Sequence, residues 1–307
     1  MRTAPTAGWR VQVGHALAAP VEQPQLWLLG TLSFMLRGGL IILLLPIVVL
    51  PTQVEVRLML GGYLGSNGFT PGFFVGVAAA TILSTGLVLV VLYGLARLEA
   101  ATFAKLSSDP ELEIQVRVDP AARVRDLFVV QSLTLITLLL AAVPLAAALG
   151  QVTYDEILRP TSAAPIYDRV LAQVMLPLTL LAVALPIVDS VSAAVTRRLL
   201  IGKSVGSAVS GSIGTLVRRP IRFLASAAVA WLALAAVVAA TDTALGIAWQ
   251  ATRAAFLRTT SIADMLTSTA PLLVAVLLSG VFLSGLAVCG YVAAFRNALW
   301  TITSLRR

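Results

Sequence analysis

Three charged residues lie inside or near long apolar stretches, where a charge has the potential for chemistry. Arg37 belongs to SFMLRGGLIILLLP, the run from Ser33 to Pro46, and Asp189 and Asp242 lie in two later apolar stretches. Within a membrane such residues are costly, and they usually face protein or water and pair with one another. We therefore take them as candidates for a polar site. It is either a structural ion pair or part of a pathway for a solute or lipid.

The depths of these charges along their helices favour one pairing. At about 1.5 Å per residue, Arg37 lies about 20 Å from Pro24, and Asp189 lies about 12 Å from Arg197 on the same side. A long arginine side chain can cover the difference of about 8 Å. We expect Arg37 to pair with Asp189, with Asp242 as the alternative partner.

The composition indicates the elements that must position these residues. The chain has 307 residues, 58% hydrophobic and 12% charged, with a mean hydropathy of +0.93. Soluble chains are about 25% charged, and an apolar run of about 20 residues can cross a bilayer as a helix. The sequence predicts an all-α polytopic membrane bundle of about six transmembrane helices with interfacial elbow helices. The predicted spans are roughly 25–50, 73–96, 127–149, 170–194, 221–246 and 270–294.

The distribution of Lys and Arg predicts the orientation of these spans. Most of the 22 basic residues fall at the two termini and in two connections, about 97–126 and 197–220. Cytoplasmic segments carry such an excess. We expect one integral membrane domain over residues 1–307 in a bacterial plasma membrane, with both termini and both basic loops in the cytoplasm. The net charge of +8 is then a feature of membrane topology, and we expect contact with anionic lipid headgroups rather than nucleic acid.

The first basic loop has a local pattern of its own. ELEIQVRV, residues 111–118, alternates polar and apolar side chains, which is typical of a half-buried strand. Asp119 followed by Pro120 is typical of a helix start. We expect a short strand and then a helix. The loop is either a solvated connector or a docking edge for a partner.

The second basic loop carries a row of small residues at four-residue spacing: Gly202, Gly206, Ser210 and Gly214. Val205, Val209, Ile213 and Leu216 follow the same helical period. We expect a helix over 199–217 at the cytoplasmic face, on which the row allows close approach of another backbone. Two readings stay open: the row packs against the protein's own bundle, or it docks a separate subunit.

The positions of several prolines suggest that one structural unit occurs twice in the chain and that some spans are bent or broken. VEQPQLWLLG, from Val21, aligns with VRRPIRFLAS, from Val217, so that Pro24 matches Pro220. Each proline suits the first turn of a helix, which predicts two elbow-plus-span units. Pro46, Pro144, Pro177 and Pro186 fall inside or near the ends of spans, where we expect simple bends that help the bundle to pack. The alternative is a broken helix around a transport site, for which the fourth span is the best candidate because it contains both Pro177 and Pro186.

The elbow IGKSVGSAVSGSIGTLVRRPIRFL and its following span resemble a pattern in bacterial multi-helix membrane families. These families include the membrane domains attached to some glycerophosphodiester phosphodiesterases. The resemblance covers one elbow and its span. It implies a helical bundle with interfacial elbows, and it carries over no activity because this sequence contains no such catalytic domain.

Catalytic and metal-binding patterns do not emerge from the sequence. His15 has no second histidine or cysteine nearby, and Cys289 lies alone in a predicted span, so we expect neither a metal nor a cofactor. We expect a non-catalytic scaffold, assembly or regulatory subunit of a membrane complex, whose partners are the bilayer and other membrane or cytoplasmic subunits. The alternative is a transporter or permease subunit for a small solute or lipid.

Overall fold

The computed structural model describes residues 8–48, 64–65, 68–108, 119–158, 166–257 and 269–305. Its described part contains six helices long and apolar enough to cross a membrane, which confirms the predicted all-α polytopic bundle. The candidate spans are Pro24–Leu44, Pro71–Ser107, Pro120–Asp155, Val170–Leu200, Pro220–Leu257 and Thr269–Thr303. All six coincide with the predicted spans, and five of them extend well beyond the predicted ends.

The described part of the chain is mostly helical. In chain order they are α1 (Trp9–Glu22), α2 (Pro24–Phe34), a π-helical turn (Met35–Gly39), α3 (Leu40–Leu44), α4 (Pro71–Ser107), α5 (Val124–Leu158), α6 (Ile166–Leu200), α7 (Val205–Arg218), α8 (Pro220–Leu257) and α9 (Thr269–Leu305). A two-residue antiparallel pair, β1 (Leu64–Gly65) with β2 (Gly68–Phe69), precedes α4. A 3₁₀ turn, Pro120–Arg123, leads into α5.

The break in the bundle lies in the first span and not in the fourth. Gly38 has φ +88° within the π-helical turn, a left-handed conformation that glycine adopts without the steric cost of a Cβ. Helix α6 instead runs without interruption through Pro177 and Pro186. The fourth span, which the sequence named as the best candidate for a break, is therefore one continuous helix. Proline removes one backbone donor, whereas the positive φ of Gly38 redirects the chain itself.

Two elbows of equal length precede two of the spans. The bounds of α7 are those of α1 shifted by 196 residues (205 − 9 and 218 − 22), and the same shift takes Pro24 to Pro220. Gln23 and Arg219, which separate each elbow from its span, share a non-helical backbone, with φ/ψ of −126°/86° and −137°/57°. The repeated elbow-plus-span design is thus confirmed in backbone geometry.

The predicted helix 199–217 needs correction. Leu199 and Leu200 belong to α6, and the elbow α7 begins at Val205. Gly202 has φ +95° and its amide donates to the Leu199 carbonyl at 2.9 Å. A left-handed glycine of this kind ends a helix, so Gly202 terminates α6 rather than opening the small-residue row.

The described parts of the loop predicted at 97–126 are also largely helical. Helix α4 continues to Ser107, because buried residues keep recurring at helical spacing beyond the apolar span, at Leu95, Glu99, Phe103 and Leu106. The predicted helix start is confirmed: the Asp119 side chain accepts from the Ala121 amide at 2.9 Å. The strand predicted at 111–118 lies outside the described residues.

The chain groups into two compact units. Unit 1 comprises residues 1–48, 94–128 and 193–307, and unit 2 comprises 49–93 and 129–192. The predicted single domain stays a prediction. Unit 2 exposes large apolar side chains along its helices, such as Ile82, Leu140 and Leu176, as expected of surfaces in contact with lipid tails. Within it, Thr134 donates to the Ser192 hydroxyl at 2.8 Å.

Unit 1 has a close helix crossing at its centre. A Cβ on Gly30 of α2 would meet the Gly290 carbonyl oxygen of α9, and a Cβ on Gly290 would meet the Thr31 side chain. Beside this crossing the Trp27 and Tyr291 rings pack edge to face, with centroids 5.6 Å apart. Small residues at such a point let two backbones approach closely, so these glycines set the α2–α9 distance.

The core of unit 1 extends beyond the predicted sixth span. Ala294, Phe295, Ala298 and Leu299 of α9 are buried, together with residues of α1, α2, α4 and α8. The last turns of α9 are therefore an internal element, although the apolar pattern predicted the span to end near 294.

Candidate functional site

A buried carboxylate in unit 1 is held between two arginines. Glu99 Oε1 accepts a hydrogen bond from Arg37 Nη2 at 2.8 Å, and Glu99 Oε2 lies 2.9 Å from Arg197 Nη1. The side chains of Glu99 and Arg197 are 3% and 1% exposed, whereas that of Arg37 is 26% exposed. We call Arg37, Glu99 and Arg197 the buried charge cluster.

Each member of this cluster comes from a different helix. Arg37 stands on the π-helical turn beside Gly38, Glu99 on the inner face of α4 and Arg197 near the end of α6. Arg197 Nη2 also donates to Asn297 Oδ1 of α9 at 3.3 Å. The cluster thus ties four elements of unit 1 together.

The buried charges of this cluster depend on one another for their stability. Removing a charge from water costs several kcal/mol, and close ion pairing and hydrogen bonds must offset that cost. For Arg197, which is almost completely buried, Glu99 supplies the ion pair and Asn297 the hydrogen bond. Arg296, buried on α9, is a third cation in the field of Glu99, and its guanidinium lies 5.9 Å from the Trp231 ring centroid, within cation–π range.

The predicted intramembrane site is placed differently by the structure. Arg37 has a partner that the sequence did not suggest, Glu99, while its predicted pairing with Asp189 or Asp242 stays a prediction. Asp189 is buried in unit 2. Asp242 lies on α8 in unit 1, and its Oδ1 is buried without a hydrogen-bond partner among the described residues.

Glu99 was missed because hydropathy assigned it to a loop. Its signal was present in the sequence, since Leu92, Leu95, Glu99 and Leu106 follow the period of a helix. Arg197 was missed for a similar reason: it was counted among the basic residues of the second loop, yet it is the largest fully buried side chain described.

A second candidate site is an open cavity of about 620 Å³ in unit 1, enclosed by the end of α6, the elbow α7, the start of α8 and the end of α9. We call it the elbow cavity. Five cationic side chains line it: Arg198, Lys203, Arg218, Arg219 and Arg222. None of the described residues that line it is acidic. An excess of cations around a concave space attracts anions.

Two of the lining arginines are fixed by hydrogen bonds. Arg198 Nη2 donates to the Thr215 hydroxyl at 2.6 Å, and Arg222 Nη2 donates to Gln12 Oε1 of α1 at 2.6 Å. Lys203, Arg218 and Arg219 are exposed. The cavity therefore combines two guanidinium groups held in position with three exposed cations.

The predicted small-residue row divides between this cavity and open surface. Ser210 and Gly214 line the elbow cavity. A Cβ on Gly206 or Gly214 would meet no described atom within 4 Å, whereas one on Gly211, outside the row, would meet the Arg198 guanidinium. The inner face of α7 is thus that of Ala208, Gly211 and Ser212, while docking of a subunit against the row stays a prediction.

Metal ligation has no candidate in the described residues, which contain no group of three His, Cys, Asp or Glu side chains able to hold an ion. The fold and these sites define the chain as a multi-pass integral membrane protein with a buried charge cluster and a cationic cavity. No family model, curated protein or solved structure matches it. The resemblance to phosphodiesterase-associated membrane domains accordingly stays a prediction.

Proposed function

We propose that this multi-pass membrane protein is a non-catalytic scaffold, assembly or regulatory subunit of a membrane complex. The observation that carries the proposal is the buried charge cluster. Arg37, which lies in the first span, is paired with Glu99, and the other oxygen of the same carboxylate pairs with the enclosed Arg197. A charge set closed in this way holds helices in place, whereas a solute site needs polar groups that the solute can reach.

We also propose where the protein is located and how it is oriented in the membrane. We place the chain in a bacterial plasma membrane with both termini in the cytoplasm, because the basic residues concentrate at the termini and at the elbow α7. Reporter fusions to each terminus test this: a cytoplasmic reporter should be active at both ends. Activity of an exported reporter at either end would overturn the orientation.

The existence of a partner subunit can be tested directly. The chain should be purified in mild detergent and its complex mass measured by native mass spectrometry. A photo-crosslinking residue at Gly206, on the open side of α7, should yield a defined adduct with one other chain. Gly14 on α1 is the matched control, since it lies on the equivalent elbow and also has open space around it.

The two outcomes differ clearly. A stoichiometric second chain that crosslinks from position 206 but not from 14 supports the scaffold role. A lone monomer without adducts, or equal crosslinking from both elbows, contradicts it.

The second candidate function is a transporter or permease subunit for a small solute or lipid. One observation favours it: the first span is interrupted at Gly38, directly beside the part-exposed Arg37. Discontinuous helices and π-helical turns frequently accompany transport and ligand sites. Proteoliposomes containing fluorescent phosphatidylglycerol test the lipid case. Protein-dependent lipid transfer between leaflets that Arg37→Ala abolishes, with the fold intact, would favour transport over the scaffold.

A further inference from the structure

We propose that the elbow cavity binds the phosphate-bearing headgroup of an anionic glycerophospholipid. This inference is independent of the scaffold proposal, because it rests on a different part of unit 1. The cavity is strongly cationic: five cations and no acidic residue are among the described residues that line it. Basic clusters next to a membrane attract anionic headgroups, each Lys or Arg contributing on the order of 1 kcal/mol.

The wall of the cavity also holds a buried hydrogen-bond donor. Trp300 lines the cavity and is 3% exposed, and its indole Nε1 has no acceptor among the described residues. A buried donor without an acceptor is costly and calls for a ligand or water. Thr303 lines the same cavity, but its hydroxyl already donates to the Leu299 carbonyl at 2.7 Å, so Trp300 is the donor on which the inference depends. An oxygen-rich anion would supply the acceptor that Trp300 lacks.

The N-terminus of α8 lies at the same cavity. Helix α8 begins at Pro220, and Arg219, Arg222 and Phe223 at its start all line the cavity. The positive end of a helix dipole favours a negative charge near the first turn. This contribution is smaller than that of the cationic side chains, because α6 and α9 end at the same cavity and a helix C-terminus carries the opposite partial charge.

The adjoining surface identifies a lipid rather than free phosphate. Val217 and Ile221 flank the cations of the cavity mouth and are 72% and 85% exposed, and Leu224 one turn on is 48% exposed. Apolar side chains next to basic ones match the boundary between acyl chains and headgroups. The volume of about 620 Å³ also exceeds what a single phosphate fills, and suits a headgroup with its glycerol.

The experiment measures binding of short-chain phosphatidylglycerol to the full chain in detergent, with short-chain phosphatidylcholine and inorganic phosphate as separate probes. In Arg218→Gln/Arg219→Gln, phosphatidylglycerol affinity should fall roughly tenfold or more. The control, Arg10→Gln/Arg125→Gln, removes the same charge from two exposed arginines that do not line the cavity, and its affinity should stay within about twofold. Trp300→Phe keeps an aromatic ring at this position, removes the indole N–H donor and should weaken phosphatidylglycerol binding several-fold.

Three results would overturn the inference. They are equal losses in the cavity and control variants, equal affinity for phosphatidylcholine, and tight binding of inorganic phosphate without binding of the lipid. If the double variant fails to fold, Lys203→Gln, at an exposed position between α6 and α7, replaces it. An unchanged phosphatidylglycerol affinity in both Lys203→Gln and Trp300→Phe would equally reject the site.

Discussion

Glu99 and Arg197 form an ion pair 2.9 Å long in which both side chains are almost completely buried. They come from α4 and α6, and Arg37 closes the other side of the same carboxylate. Because Glu99 and Arg197 are shielded from water, each depends on its charged partners for compensation. The cluster therefore has to be tested as a unit and by its pairs.

Replacement of Glu99 by Gln should destabilise the fold by about 3–5 kcal/mol, since it leaves Arg197 buried without its counter-charge. Thermal unfolding in detergent should show a markedly lower midpoint. Glu22→Gln is the matched control, because Glu22 is exposed at the end of α1. Similar midpoints for the two variants would mean that the cluster does not stabilise the bundle.

The two arginines should contribute unequally to that stability. Arg197 is 1% exposed and Arg37 26% exposed, and solvent screening weakens the exposed pair. A double-mutant cycle should give a larger coupling energy for Glu99–Arg197 than for Glu99–Arg37. The reverse order would contradict the assignment of Arg197 as the main counter-charge.

The spans and elbows could be predicted from the sequence because both depend on local patterns. Hydropathy identifies an apolar run, and proline at a first helical turn marks Pro24 and Pro220. The charge cluster depends instead on which distant helices meet. Glu99 and Arg197 follow apolar spans by a few residues, so hydropathy placed them in loops, although both lie in continuous helices.

The core at the end of α9 escaped prediction for a related reason. Phe295, Ala298 and Leu299 surround polar neighbours such as Asn297, and the mixed composition ended the predicted span near 294. Packing against α1, α2, α4 and α8 buries them all the same. Composition alone does not distinguish a polar residue in a tightly packed helical core from one in a solvated tail.

The crossing of α2 and α9 should not tolerate a methyl group. Gly30→Ala would place its Cβ against the Gly290 carbonyl oxygen, which is backbone and cannot move aside alone. Overpacking of this kind typically costs about 1–3 kcal/mol. Gly280→Ala, in the same helix as Gly290 but with open space around it, should be neutral or slightly stabilising. Equal thermal midpoints for the two variants would reject the close crossing.

The break at Gly38 should depend on backbone conformation rather than on space. No described atom lies within 4 Å of a Cβ built at Gly38, yet its φ is +88°. Gly38→Ala should therefore cost about 1–2 kcal/mol through left-handed strain alone. Gly86→Ala, at an open position inside α4, is the control and should raise stability slightly.

The Gly38→Ala variant also tests whether the break positions Arg37 against Glu99. If alanine straightens the first span, Arg37 should leave Glu99, because the π-helical turn aims its side chain. Adding Glu99→Gln to Gly38→Ala should then cost less than it does in the native chain. Additive losses in thermal stability would show that the break and the charge cluster are independent.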